Sequence, residues 1–381
     1  MNQEKRLISN DSYYKNLPIN TIPLNETTII LKNHDAHVFH KTLSEYNPTP
    51  LINLPYLSKK LGVRNIYVKD ESRRFNIKAF KGLGASYAIY QTLIKTPSLE
   101  TFCTATDGNH GRAVAWAAKK FDRNAVIFVP KEITLKRIEA IENEGAQVIQ
   151  ITGHYDQACE EAKKISRSKK WSLIQDTAWE GYLEIPALIL SGYLTLFKEM
   201  EESIHSPLKP KIDLVFLQAG VGSMAAAGIY YYLNKYGKNK PKIVIVEPEE
   251  ADGILCSFKE KKISTSKGSL KTIMTGLNCE TPSLGAWDLL KNGTNYVLKI
   301  SDNYAKQAMR EFYYPSGLDK RIISGESGAT GLGGLLAILK ESEMKLIKED
   351  LKINNSTNIL FINSEGDTDK EVFSEIINSS I

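Results

Sequence analysis

The 381-residue chain is poor in cysteine: Cys103, Cys159, Cys256 and Cys279 lie far apart, with no C-x-x-C pair. That spacing excludes a disulfide framework and a thiolate metal site, and it fits a reducing compartment, with Cys256 and Cys279 as separate thiols. No run approaches the ~18 apolar residues that a bilayer span needs. The first residues, MNQEKRLISNDSYYKNLP, lack the apolar centre of a signal peptide. A soluble, cytoplasmic protein without a membrane partner is therefore expected. An excess of one charge is missing too, since 49 Lys+Arg face 44 Asp+Glu, spread along the chain. So diffuse a surplus gives no footing for nucleic acid. Histidine is sparse, and although His34, His37 and His40 recur every three residues, no acid or cysteine cluster stands near them at ligand spacing. They read as a solvated helix face, and no metal is expected. Internal repeats and low-complexity segments are absent.

What is present is an ordinary globular composition, 42% hydrophobic and 24% charged, long enough to bury a large core. The first 45 residues have weak periodicity and read as an arm or a few short elements. From Ile66 onward, short β-branched runs alternate with helical patterns. Strands are expected at Ile66–Lys69, Thr101–Ala105, Ala125–Val129, Gln147–Ile151, Leu173–Gln175, Asp213–Leu217, Ile243–Glu247 and Asn358–Ile362. Helices are expected at Gly111–Phe121, Leu135–Glu144 and Tyr155–Lys169. Strand–helix repetition of this kind implies an α/β fold with mainly parallel sheets covered on both faces. The best internal boundary is the proline-interrupted Glu201–Lys211, and Ser257–Lys271 reads as an exposed polar loop.

The sharpest local signal is DLVFLQAGVGSMAAAGIYYYL, a strand running into Gly220-Val221-Gly222-Ser223 and then a helix of small residues. Glycines there allow a tight turn whose N–H groups and helix N-terminus face an anion, and Ser223 adds a hydroxyl. A monophosphate cofactor, a dinucleotide and a purely structural turn all remain compatible with the loop, because Gly220-x-Gly222-x-x-Ala225 followed by Glu247 also satisfies the dinucleotide fingerprint.

Lys81 follows Ala79-Phe80 and opens a helix of small and apolar residues. A lysine desolvated in this way has a lowered pKa and serves as an amine nucleophile, whereas Lys78 is expected to be exposed. Thr104-Ala-Thr106-Asp107-Gly108-Asn109-His110-Gly111 occupies a strand-to-helix turn suited to a carboxylate or a cofactor oxygen, or simply to an N-cap by Asp107 or Asn109. His110 is expected to make a structural hydrogen bond. Asp176 ends the run Leu173-Ile-Gln-Asp, where acids at strand C-termini face the ligand crevice of parallel sheets. Two acids and a buried lysine can act as acid–base groups around one carbon.

Taken in order, these motifs resemble those of the fold-type II pyridoxal-phosphate (PLP) enzymes of the tryptophan synthase β-like superfamily, and among them the diaminopropionate ammonia-lyases. The resemblance runs from NPTPLINLPYLSKKLG at Asn47 to INSEGDTD at Ile362–Asp369. It also takes in KDESRRF at Lys69–Phe75, QDTAWEGY at Gln175–Tyr182, GLNCETPSLGAW at Gly276–Trp287 and RIISGESGATGLG at Arg321–Gly333. The resemblance implies two lobes with PLP in the cleft between them: a large PLP-binding domain from residues 1–84 and 207–381, and a small domain, 85–206. It implies that Lys81 holds PLP covalently, Phe80 packs against the ring and Asn109 bonds the ring hydroxyl oxygen. Gly220, Val221, Gly222 and Ser223 would cradle the phosphate, and Ser364 would face the pyridine nitrogen. The implied reaction is α,β-elimination of 2,3-diaminopropionate, an amino-acid catabolic step, to pyruvate and ammonia, with Asp176 serving the L-substrate and Asp107 the D-substrate. A homodimer is implied as well. The alternatives are a threonine or serine dehydratase, in which the Asp107 position is usually Ser, and a non-catalytic relative. Lys78 departs from the usual Asn, Ala226 and Ala227 replace common glycines, and the stretch from Lys81 to Asp107 is short.

Overall fold

The computed structural model describes residues 9–106, 108–153, 155–203 and 211–379. Twelve strands form among them: β1 Ser9–Asn10, β2 Tyr13–Lys15, β3 Leu51–Asn53, β4 Asn65–Asp70, β5 Thr101–Ala105, β6 Asn124–Pro130, β7 Gln147–Ile151, β8 Ser172–Leu173, β9 Leu214–Gln218, β10 Lys242–Pro248, β11 Tyr296–Ile300 and β12 Asn358–Asn363. They build an eight-stranded sheet, ordered β1-β2-β11-β10-β9-β12-β4-β3, and a four-stranded sheet, β7-β6-β5-β8. The smaller sheet is wholly parallel. The larger is parallel from β11 to β4, with antiparallel pairing only toward its edges.

Burial on both faces explains the continuous apolar strands. Every residue of β9 and β12 is buried. Along β9, Val215 and Leu217 join one core cluster while Leu214 and Phe216 join the other, as the strand period of two requires. The first cluster continues through the helices Lys81–Lys95 and Glu184–Ser203 to Phe102 and Ile127 of the small sheet. Each fully buried Leu, Val or Phe there contributes roughly 1.5–3 kcal/mol.

The expected strands form, with small shifts at their ends. The run Leu173–Gln175 pairs as Ser172–Leu173 only, although Ile174 N–H still donates to the Cys103 carbonyl at 2.8 Å. Strand β11 was not foreseen because YVLKI carries Lys299, whose ammonium is neutralised by Asp252 at 2.9 Å. The first part of the expected polar loop is helical: Gly253–Glu260 buries Ser257 and Phe258. Within the Glu201–Lys211 boundary, residues 204–210 lie outside the described part of the chain.

The three histidines do not form the solvated helix face expected. His40 is fully buried and bonds Thr195 Oγ1 at 2.7 Å and the Leu83 carbonyl at 2.9 Å. His37 is buried against Tyr46, and His34 bonds the Tyr87 hydroxyl. They therefore pin the arm to the helices beneath instead of facing solvent. No metal-binding group of His, Cys, Asp or Glu occurs among the described residues, and none of their helices is long and apolar enough to cross a membrane.

Candidate active site

One cleft gathers the C-terminal ends of strands from both sheets, where open α/β sheets bind ligands. Lys81, Phe80, Asn109, Asp176, Gly220–Ser223 and Ser364 all line it. Asp107 lies outside the described residues.

Strand β4 reaches Lys81 through a tense loop. Phe75, Asn76 and Lys78 all have left-handed backbones, with φ of 49°, 60° and 59°, a conformation that costs a non-glycine residue about 1–2 kcal/mol. At Lys78 this backbone is one that Asn tolerates better than Lys does. The Lys78 side chain is half-buried and pairs with Asp367 at 2.7 Å, so it is not the exposed charge expected. The loop is held by a fully buried charge cluster. Arg74 donates to Glu71 at 2.7 and 2.9 Å, to Glu199 at 2.8 and 2.7 Å, and to the Asn47 carbonyl at 3.0 Å. Lys69 completes it with a 2.6 Å bond to Glu199.

The Lys81 ammonium donates to the Asp176 carboxylate. Burial alone would pull the amine down, as expected from sequence, but the adjacent Asp176 charge outweighs burial and the group is raised instead. Burial likewise pushes the Asp176 carboxyl up, yet His110 and Lys81 overcome it and hold the group at about 2. His110 donates from Nε2 to the Ile174 carbonyl at 2.7 Å, the structural bond expected, which fixes its tautomer. Its Nδ1 is left 3.8 Å from Asp176, and burial lowers its pKa.

The glycine loop is a bare-backbone cradle. Gly222 caps the helix Ser223–Tyr236 at φ 91°, and a Cβ there would fall 2.9 Å from Leu290 Cδ1. A Cβ on Gly220 would fall 2.8 Å from Cys279 Sγ. Ser223 Oγ donates to the Asp176 carbonyl at 2.9 Å, tying the cradle to the acid across the cleft.

Beyond Lys81, the cleft wall is polar. Phe80 N–H donates to the Ser364 carbonyl at 3.1 Å, and its ring lies 4.7 Å from that of Tyr193. Gln218 Nε2 donates to the Ile362 carbonyl at 2.8 Å and to Ser364 Oγ at 3.0 Å. With its lone pair engaged in this way, the Ser364 hydroxyl proton is free for another acceptor. Asn109 is not the N-cap of its helix. Thr106 Oγ1 takes the N–H groups of Gly108 and Gly111, at 2.9 and 3.1 Å, while the Asn109 amide donates to Glu365.

A glycine cradle at a helix N-terminus, a half-buried amine, an amide and a hydroxyl suit a phosphate, an aldehyde carbon, a phenolic oxygen and a ring nitrogen. The donor set fits pyridoxal phosphate. Gln218 and Glu365 were missed in the sequence, whereas Thr106 belongs to the turn singled out there. Glu365 obeys the rule that singled out Asp176, since it follows the C-terminal end of a parallel strand; Gln218 carries no comparable signal.

The chain matches the model of the pyridoxal-phosphate-dependent enzyme family over residues 42–363. It is 40% identical over 359 residues to the diaminopropionate ammonia-lyase of Escherichia coli, covering 90% of each chain. A crystal structure of that lyase, in complex with an aminoacrylate–PLP azomethine reaction intermediate, superposes with a TM-score of 0.88 at 37% identity, covering 96% of each chain. A biosynthetic L-threonine dehydratase of Haemophilus influenzae is more distant, 26% identical over 78% of this chain and 54% of its own length.

Proposed function

The chain belongs to the pyridoxal-phosphate-dependent enzymes and, within them, to the diaminopropionate ammonia-lyase family, and from that premise we propose that it cleaves 2,3-diaminopropionate, in its D form, its L form or both, to pyruvate and ammonia. The observation that carries this reading is the Lys81–Asp176 pair beside the glycine cradle: a half-buried amine and a buried acid–base carboxylate share one cleft.

When bound, pyridoxal phosphate supplies a conjugated ring that takes up the electron pair left on the substrate's α carbon. Lys81 is the residue that would hold it, with Gly220, Val221, Gly222 and Ser223 at its phosphate, Phe80 against the ring, Asn109 at the ring hydroxyl oxygen and Ser364 at the pyridine nitrogen. A hydroxyl in that last place donates without protonating the nitrogen, which keeps the electron sink moderate and suits elimination. Asp176 removes the α-proton of the L-substrate, and Asp107, acting from the opposite face, removes that of the D-substrate. The same acids return a proton to the departing β-amino group. One water is consumed as the released three-carbon enamine hydrolyses, so each substrate gives one pyruvate and two ammonia molecules.

A threonine or serine dehydratase is the second reading, and the acid at position 107 speaks against it. Retention of Lys81, Asp107, Asp176 and Asn109 together speaks against a non-catalytic relative. Two lobes, 1–84 with 207–381 and 85–206, are proposed from the four-stranded sheet, which falls entirely within the second span. A cytoplasmic homodimer is proposed too. The sparse cysteines support the compartment, and exposed Leu17, Ile19 and Leu24 on the N-terminal arm offer an apolar face to a second copy. Pyruvate and ammonia measured from D- and L-diaminopropionate, serine and threonine test the function. A 1:2 ratio from the diamine is expected, and faster turnover of threonine or serine would overturn the lyase assignment.

A further inference from the structure

Glu365 is a buried acid, 4% exposed, with no salt bridge among the described residues. Among the described residues its oxygens are held only by neutral donors: Oε1 accepts the Ser327 N–H at 3.0 Å, and Oε2 accepts the Asn109 side-chain amide. A carboxylate without a cation is an expensive group to bury. A glutamine would fill the same volume more cheaply, but it has a single acceptor, and here two N–H donors converge on the two oxygens. The backbone is fixed as well, since Gly325 N–H donates to the Glu365 carbonyl at 3.1 Å and the residue bridges to Ala79, next to Phe80 and Lys81. Asn109 opens the helix that follows β5 of the small sheet, whereas Glu365 follows β12 of the large one, so their bond spans the cleft.

We propose that Glu365 is a positioning residue: by accepting the Asn109 amide N–H across the cleft, it fixes which way that amide faces and so turns its second N–H, rather than its carbonyl, toward the ring hydroxyl oxygen of the cofactor. The inference rests on the reading that the cleft binds pyridoxal phosphate with Asn109 at that oxygen. The two ends of an asparagine amide are nearly identical in shape, so only the partner's chemistry selects between them. A carboxylate admits only the N–H end. Glu365→Gln would keep its one acceptor on Ser327 and present an amide donor to Asn109. The Asn109 amide would then flip, leaving its carbonyl against the ring oxygen.

The test is a double-mutant cycle on the cofactor-free protein, read by pyridoxal-phosphate affinity and by the visible absorption band of the reconstituted protein. E365Q is expected to weaken cofactor binding about tenfold, the scale of one hydrogen bond lost against an unpaired acceptor. It should move the band in the same direction as N109A. In the N109A background, E365Q should change affinity by less than about twofold, because nothing remains for it to orient. E365D keeps both acceptors and should restore most of the affinity. Should E365Q fail to fold, Glu365→Ala enters the same cycle with the same expectation. The proposal is overturned by E365Q with wild-type affinity and band, or by an equal tenfold loss with Asn109 already removed. A wild-type protein that takes up no cofactor would overturn the underlying reading of the cleft, an outcome distinct from either of these.

Discussion

Replacing Asp176 by Asn separates two roles of one carboxylate. In the cofactor-free protein its charge balances the Lys81 ammonium. Holding the acid at about 2 instead of its ordinary 3.8 corresponds to roughly 2 kcal/mol of stability. Because the folded value lies below the unfolded one, that contribution is complete above pH ~4 and fades as the pH falls toward 2. In the variant Lys81, 16% exposed, becomes a partly buried cation without its partner, a change that costs up to about 3 kcal/mol unless the amine sheds its proton. The cofactor-free variant should therefore melt several degrees lower at pH 7, and the gap from wild type should shrink as both proteins are taken below pH ~4. In the loaded enzyme the same change removes the base for one face of the substrate. Pyruvate release from L-diaminopropionate should fall by about 10²–10⁴, while release from the D form stays within a few-fold. Equal losses for the two enantiomers would refute the assignment of faces. An unchanged melting temperature at neutral pH would refute the ion pair.

Gly222→Ala should lower stability by about 1–3 kcal/mol and weaken cofactor binding at least tenfold, since φ is 91° and the new Cβ would meet Leu290. Gly237→Ala, with φ 51° and open space around it, should lose stability alone, as melting and cofactor titration would tell. Glu199→Ala leaves Lys69 and Arg74 buried with only Glu71 beside them. A loss of about 3–5 kcal/mol in denaturant unfolding is expected, and a loss below 1 would show that the cluster does not brace the Lys81 loop. Glu326 is pushed up to about 7 by burial and by Glu365. Its folded value lies above the unfolded one, so stability is lost as pH rises from about 4.5 through 7, by up to roughly 3 kcal/mol. Glu326→Gln should therefore melt higher than wild type at pH 8 and much less so at pH 5.

The parallel sheets were legible because buried strands such as VFL and ILFI leave an apolar run that loops cannot imitate, and the lysine, the glycine loop and the strand-end acid all come to one cleft. The parts not legible share a cause. Strand β11 hid behind Lys299, whose charge is cancelled by Asp252 far back in the sequence. His40 and His34 looked solvated because their partners, Thr195 and the Leu83 carbonyl for the one and Tyr87 for the other, belong to distant helices. Lys81 was expected to be lowered by burial because its pairing with Asp176, 95 positions away, is a product of the fold. Composition and spacing report what a residue is. Partners supplied from elsewhere in the chain decide its charge and exposure.

The most direct measurement treats the pyridoxal-phosphate-reconstituted protein with borohydride, maps the modified peptide by mass spectrometry, and follows pyruvate release from diaminopropionate before and after. The account predicts a yellow protein whose visible band is bleached, a single phosphopyridoxyl group on Lys81, loss of pyruvate release on reduction, and none of these in Lys81→Ala. A label on Lys78 or elsewhere, or a colourless protein that pyridoxal phosphate cannot reconstitute, would contradict it.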